Sequence, residues 1–380
     1  MKDSADGTSR LNIGHDSTRV HSTRTVTFFL RKILPYLGRR ALFIGPQIFG
    51  VLLLVFVFVR LIPGDPARLM AGPFVNDAAL DRLRESWGLS DPLHIQFAVY
   101  VKNIFQGDLG SSWYTGNPVL TDIMIRLPAT AELIILALLA SFIFLLPIGL
   151  KSVSPGGGAG KKIAGKGLFA YGMAAGAFPD FWLALLLILI FYAVLGWAPP
   201  PTGQLDIAMS APTRITGMYL VDSLITGNWV VFKASLSHLI LPVFTLTFVY
   251  GGGILKIGIV ESEKIQRSKF INFAKVSGLP LSQIQRYITR AVQPSVATMT
   301  AVTFGFLIGG AVLVETVFSW GGLGQYAVQS VINSDYAAVQ GVVLVLAVIN
   351  LFIYIIVDII YYGVQFFFFS IILTDNIDNS

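Results

Sequence analysis

The chain has 380 residues, 54% of them hydrophobic and 13% charged, with a mean hydropathy of +0.71 and a formal net charge of +6. Soluble domains carry about 25% charged residues, so these proportions exclude a soluble globule and point to lipid as the solvent. The lack of cysteine excludes a disulfide framework and a thiolate metal site, and the four histidines (His15, His21, His94 and His238) are scattered without metal-ligand spacing.

In chain order, residues 1–25 are rich in Ser, Thr and Asp and read as a disordered tail. "FFLRKILPYLGRR" (28–40) then reads as a basic interfacial anchor, which completes an N-terminal tail of residues 1–40. The first apolar run, 41–62, is of full span length, so it is expected to be a transmembrane helix and not a signal peptide. Residues 63–128 follow as a long extracytoplasmic segment with turn signals at Pro63-Gly64-Asp65-Pro66 and short helices expected near 77–87 and 91–105. The second span is expected at 129–150. The stretch 151–167, "KSVSPGGGAGKKIAGKG", resembles a phosphate loop but lacks G-x-x-x-x-G-K-[ST], and reads as a flexible basic loop.

The third apolar run, 168–196, contains Pro179-Asp180. An unbroken helix of that length would run about 45 Å against a hydrocarbon core of about 30 Å, so a tilt, a kink at Pro179 or an early start is required. Asp180 falls near mid-membrane, either capping a local break or lying on a translocation path, whereas Glu132, Glu315 and Asp358 fall nearer span ends and are expected to reach water. The remaining spans are expected at 239–258, 296–317 and 338–364. In the fifth, Ala297, Ala301, Gly305 and Gly309 place a small residue every four positions, a close-packing face for a helix of this or another chain. The apolar run after the sixth, "FFFFSIIL" (366–373) in the tail 365–380, is too short for another crossing and extends the last helix or lies at the interface.

Between the fourth and fifth spans, 261–292 is polar and amphipathic. Phe270, Phe273, Ala274 and Ser277 fall at i, i+3, i+4 and i+7. Gly278 suits the left-handed position that ends a helix, and Pro280 prevents its continuation. Ser282-x-x-Gln285 reads as a capping box, with Leu281, Ile284, Ile288 and Ala291 as the apolar face of the next helix. The spacing predicts helix, sharp turn, helix, with small side chains near the bend that allow another protein to approach closely. An orientation with both termini cytoplasmic places 19 of the 27 Lys and Arg on the cytoplasmic side. The net charge therefore reads as a topology signal, not as a nucleic-acid footprint.

"FAKVSGL" (273–279) resembles the coupling loop of binding-protein-dependent ABC transporter permeases, in the dipeptide/oligopeptide branch, where Ala-x-x-x-Gly-Leu is common. "VFVRLIPGDPA" (57–67), "GDLGSSW" (107–113), "LPATAEL" (127–133), "TGMYLVDSLITGNW" (216–229), "HLILP" (238–242) and "VETVFSWGGLGQYAVQSVINSDYAAVQG" (314–341) are similar to the same branch, so the resemblance covers about 28–364. The family's basic tail after the sixth span is replaced here by "GVQFFFFSIILTDNIDNS". The resemblance implies an all-α type I ABC importer permease with six transmembrane helices in the cytoplasmic membrane of a prokaryote. Its permease core would be 129–364, with coupling to an ATPase through Phe273, Ala274, Ser277, Gly278 and Leu279 in the loop 261–292. It implies a second homologous permease subunit, two ATP-binding subunits that hold ATP and Mg, and an extracytoplasmic solute-binding protein. No cofactor is implied on this chain. The implied cargo is di- or oligopeptides, or oligosaccharides or nickel chelates. An ion-coupled secondary transporter is the rival reading. It predicts an internal inverted repeat and several mid-membrane ionisable groups, and neither is evident in the sequence. A membrane enzyme would require a convergent acid/base or metal motif, and none is evident.

Overall fold

A computed structural model describes residues 42–58, 75–86, 88–156 and 158–377, together with the single positions 38, 60 and 68. All but one residue of the expected tail 1–40, the turn signals at 63–66 and the last three residues of the chain lie outside the described residues. Chain contacts group Ile48–Asp358 as one compact unit. Met1–Gln47 and Ile359–Ser380 form a second unit, of which the described residues include mainly helix ends.

The described residues are helical apart from loops and one isolated bridge, Ser111 to Pro118. α1 (Leu42–Phe58) is a short apolar helix. α2 (Asp77–Ser86) and α3 (Leu93–Phe105) stand at the two places expected in the segment after it. Phe97 of α3 packs edge-on against Phe49 and Phe56 of α1, with ring centroids 5.7 and 5.1 Å apart.

α4 (Val119–Ser152) is the first of four helices long and apolar enough to cross a membrane. It begins ten residues before the apolar window because Pro118, with extended ψ, supplies its N-cap and Val119 and Ile123 are already buried. A π-helical turn at Ser141–Leu145 widens it just before Pro147. Proline has no N–H to give and crowds the preceding turn, and Ser141 Oγ donates to the Ala137 carbonyl beside the widened segment.

α5 (Ala159–Ala177) and α6 (Asp180–Val194) form a bent pair with an angle of 104° between them. The expected kink at Pro179 is therefore a break. The basic loop expected at 151–167 is much shorter, because α5 starts at Ala159 and absorbs "AGKKIAGKG" into its first turns. α7 (Tyr219–Ile225) is short. α8 (Trp229–Gln266), α10 (Leu281–Val317) and α12 (Tyr336–Ile377) are long, and the apolar windows 239–258, 296–317 and 338–364 are their central parts. α12 continues through the phenylalanine run as one helix. α9 (Lys269–Val276) and α11 (Leu323–Ile332) connect these helices. The four membrane-length helices, the bent pair and α1 thus stand at the six places the apolar windows mark.

α8 lies at the centre and packs on α4, α5, α6, α7 and α10. The main core joins Leu133 and Ala137 of α4, Ala184 and Leu187 of α6, Leu246 and Val249 of α8, and Leu307 and Ala311 of α10. Separate cores sit at the two ends. One is built on Val119, Ile123, Leu323, Tyr326 and Val342. The other is built on Leu150, Ile254, Ile271, Ile284 and Ile288. Between them, apolar side chains such as Ile143, Leu189, Phe306 and Phe352 are exposed on the bundle's outside, the arrangement lipid requires.

Candidate functional site

The helix–turn–helix at the end of α8 is built by local chemistry. α8 stops at Gln266, and Ser268, extended at ψ 151°, accepts a hydrogen bond from the Ile271 N–H and starts α9. α9 ends at Gly278, whose φ of +76° is the left-handed value expected from sequence. The Gly278 N–H donates to Lys275 O at 3.1 Å and the Leu279 N–H to Ala274 O at 3.2 Å, which satisfies the last carbonyls of the helix. Pro280, at ψ 145°, is the N-cap of α10, with no side-chain cap bond. The capping box expected at Ser282-x-x-Gln285 is therefore not formed, because the cap lies two residues earlier, at Pro280, and leaves Ser282 inside the first turn.

Ile271 and Ala274 are buried against Ile284, Ile288 and Val292 of α10 and Ile254 of α8. This corrects the expected grouping of Ala274 with Phe270, Phe273 and Ser277: the helix turns Ala274 into the protein's own core. The face it turns outward carries Phe270 at 58% exposure, Phe273 at 72% and Val276 at 88%, and Leu281 at the start of α10 adds another exposed apolar side chain. Ser277 and Gly278 are also exposed, and Leu279 is half-buried. The second apolar face differs too. Ile284 and Ile288 are buried as expected, but Leu281 and Ala291 are exposed, and Val292 and Val296 complete the inward row. A Gln266 side-chain N–H donated to the Val153 carbonyl ties this end of α8 to the link between α4 and α5.

Near the middle of the bundle, Asp180 opens α6 immediately after the break and is nearly buried. Its Oδ1 accepts from the Phe181 N–H and its Oδ2 from the Tyr250 hydroxyl, both at 2.7 Å. Tyr250 reaches it by lying across Gly310 of α10, where a Cβ would come 2.1 Å from the Tyr250 oxygen. Tyr171 of α5 donates to the Phe248 carbonyl at 2.7 Å, so both halves of the bent pair are bonded to α8. The small-residue row does not form one uniform face. Ala301 is buried, Ala297 is half-buried, a Cβ on Gly305 would lie 3.5 Å from Asn350 and Tyr354 of α12, and Gly309 is exposed with open space around it.

At the end opposite α9, five buried carboxylates hold the loops to the helix ends. Asp122 accepts from Thr115 Oγ1, Asn117 Nδ2 and Tyr326 Oη, and pairs with Arg126 at 3.1 Å. Glu132 accepts from the Leu220 N–H, and Glu315 from Thr130 Oγ1 and the Gln325 N–H. Asp335 accepts from Ser112 Oγ and the Ala338 N–H. Glu132 and Glu315 are thus not exposed to water as expected; at 3% and 0% exposure they are sealed by backbone N–H donors from α7 and α11 and by the Thr130 hydroxyl of α4. Asp222 accepts from the Ile215, Thr216 and Gly217 N–H groups and from Thr216 Oγ1. Burial raises its carboxyl, but these four donors together outweigh that and hold it below the usual carboxylate range. The sequence pattern singles out Glu132 and Glu315 only as span-end carboxylates and does not single out Asp122, Asp222 or Asp335, although the spacings Asn117 to Asp122 and Thr216 to Asp222, each beside a glycine, are local signals for loop-closing carboxylates.

Residues 156–366 match the family model "Binding-protein-dependent transport system inner membrane component" and residues 33–134 match its N-terminal companion. The chain is similar to a probable D,D-dipeptide transport system permease protein of Escherichia coli, 38% identical over 316 residues that cover 82% of this chain and 91% of the relative. It is similar as well to a di/tripeptide transport system permease protein of Pseudomonas aeruginosa, 33% identical over 87% of this chain and 97% of the relative. A glutathione transport system permease protein of Pectobacterium atrosepticum is 32% identical over 88% of this chain and 98% of the relative.

Proposed function

Because the chain belongs to the family of binding-protein-dependent transport inner membrane components, we propose that it is the peptide-translocating permease subunit of an ATP-driven importer, gripped by its ATPase through α9. The observation that carries the reading is the division of α9 into two faces. Ile271 and Ala274 fix the helix to its own bundle, while Phe270, Phe273 and Val276 form a largely exposed apolar row, of which, among the described residues, Phe270 alone meets a ring of the protein's own, Tyr287 of α10 at 5.6 Å. An ATPase subunit that seats this row in a groove moves α8 and α10 together, because α9 is joined to both by turns of at most four residues.

In this reading α9 and both termini are cytoplasmic, in line with the distribution of Lys and Arg. The segment 63–128, α7 and α11 then face the opposite side, where a solute-binding protein delivers cargo. Two ATP-binding subunits hold ATP and Mg, and a second, homologous permease completes the path. The relatives' names support di- and tripeptides as the cargo class, with glutathione within the same chemistry. Binding and release follow from alternating access: closure of the ATPase dimer is transmitted through α9 to α8 and α10, and reopening resets them.

A single cysteine in place of Phe273 tests the contact. In the assembled complex it is expected to cross-link to the ATP-binding subunit, with a yield that changes when ATP is bound. Cross-linking that never reaches that subunit, in a complex that still transports, would overturn the coupling role.

A further inference from the structure

A cavity of about 610 Å³ opens beside α9, between the Ser152–Gly156 link, the start of α5 and the last turns of α8. Among the described residues four cations line it: Lys161 and Lys166 from α5, Arg267 at the end of α8 and Lys275 from α9. One carboxylate, Glu263, faces them. None of the four makes an ion pair with a described carboxylate, and the nearby Lys264 is the one paired, with Glu261 at 3.4 Å. Four cations around one void repel one another unless an anion sits among them.

The wall changes character along α8. Ile259 and Val260 line the cavity at one level and Arg267 at the other, eight residues or about 12 Å further along the helix. Phe169 stands in the same relation to Lys161 on α5. Apolar side chains deep in the bundle, with cations toward its end, match a lipid whose acyl chains lie in the hydrocarbon and whose phosphate lies at the surface. A soluble anion or an acidic protein loop makes no use of the apolar half. Basic pockets between transmembrane helices on the cytoplasmic side are a known setting for anionic headgroups.

We propose that this cavity binds the headgroup of an anionic phospholipid, with Lys161, Lys166, Arg267 and Lys275 around its phosphate, beside the helix through which ATP hydrolysis is coupled. The assignment rests on the cytoplasmic placement of α9 proposed above. Lipid retention can be read without transport, so the two ideas fail separately.

The test uses the complete complex in nanodiscs of phosphatidylcholine with phosphatidylglycerol, and native mass spectrometry of the lipids that stay bound after release into detergent. Phosphatidylglycerol is expected to be retained over phosphatidylcholine. The double variant Lys166→Gln/Arg267→Gln is expected to weaken that retention about 30-fold, on the usual worth of two basic groups near an anionic surface. Lys264→Gln, a charge removed outside the cavity, is expected to leave it unchanged. Equal retention of both lipids would overturn the proposal, as would displacement of the bound lipid by millimolar inorganic phosphate. Unchanged retention in the double variant together with loss of the ATP-binding subunit would assign the cations to protein docking instead.

Discussion

Asp222 shows how one side chain fixes a loop: three backbone N–H groups and a hydroxyl converge on a carboxylate that is 1% exposed. Because its folded pKa is depressed, its contribution is fully present above the ordinary carboxylate range and is lost as pH falls through the lowered folded value. Thermal melting of the purified complex should therefore begin to fall as pH drops below the usual Asp pKa of about 3.9 and go on falling through the lowered folded value. Asp222→Asn should flatten that fall and cost about 1–3 kcal/mol at neutral pH. An unchanged profile in the variant would remove Asp222 from the account. The Asp180–Tyr250–Gly310 contact supplies a second test. Gly310→Val places carbon where the Tyr250 oxygen lies and is expected to lower the amount of folded protein, with overpacking costing about 1–3 kcal/mol. Tyr250→Phe removes only the hydroxyl and is expected to assemble. If uptake by Tyr250→Phe then changes more for positively charged peptides than for neutral ones, Asp180 faces the path. An equal effect on all peptides assigns it to holding the break.

The elements divide by how locally they are determined. The turn at Gly278 was legible because glycine, leucine and proline in succession specify a left-handed stop and an extended restart, and the φ of +76° at Gly278 matches. The inward face of α9 was not legible. An eight-residue helix offers two apolar stripes, 270/273/276 and 271/274, and only the packing of α10 decides that Ile271 is the anchor. The capping box failed for a related reason: Pro280 already occupies the cap position, which a pattern beginning at Ser282 cannot register. The start of α4 was missed because hydropathy rises late, whereas Val119 and Ile123 are buried by protein and not by lipid. Substitutions in α9 follow the two faces. Ala274→Asp buries a charge in the core and is expected to reduce the folded protein itself. Phe273→Ala removes an exposed side chain and is expected to leave folding intact while weakening ATPase docking by about 2 kcal/mol, roughly 30-fold. Gly278→Val meets open space, so its cost is backbone strain alone, about 1–3 kcal/mol. Protein amount in the membrane and ATPase co-purification separate the three. A Phe273→Ala complex that holds its ATPase as well as the wild type would contradict the outward role of that face.

Across the whole chain, the apolar windows located the spans because length and hydropathy are sufficient for a helix in lipid, and the family motifs located the loop at the end of α8. What they left out is the stitching of the opposite end by Asp122, Glu132, Asp222, Glu315 and Asp335, whose donors lie as far as 223 residues away in sequence. The proposed orientation rests on the distribution of Lys and Arg and is open to labelling: a cysteine at Lys269 should react only from the cytoplasm and one at Ile207, 88% exposed, only from outside. Reaction of Lys269→Cys from outside intact cells would invert the topology. The central claim, a permease driven through α9 by ATP on other chains, is tested most directly by peptide uptake into proteoliposomes. The complex is reconstituted with its solute-binding protein outside and ATP and Mg inside, or with a proton or sodium gradient and no ATP. Uptake is expected only with ATP and the binding protein together, and is expected to be lost in Gly278→Val. Uptake driven by an ion gradient in the absence of ATP would contradict the account.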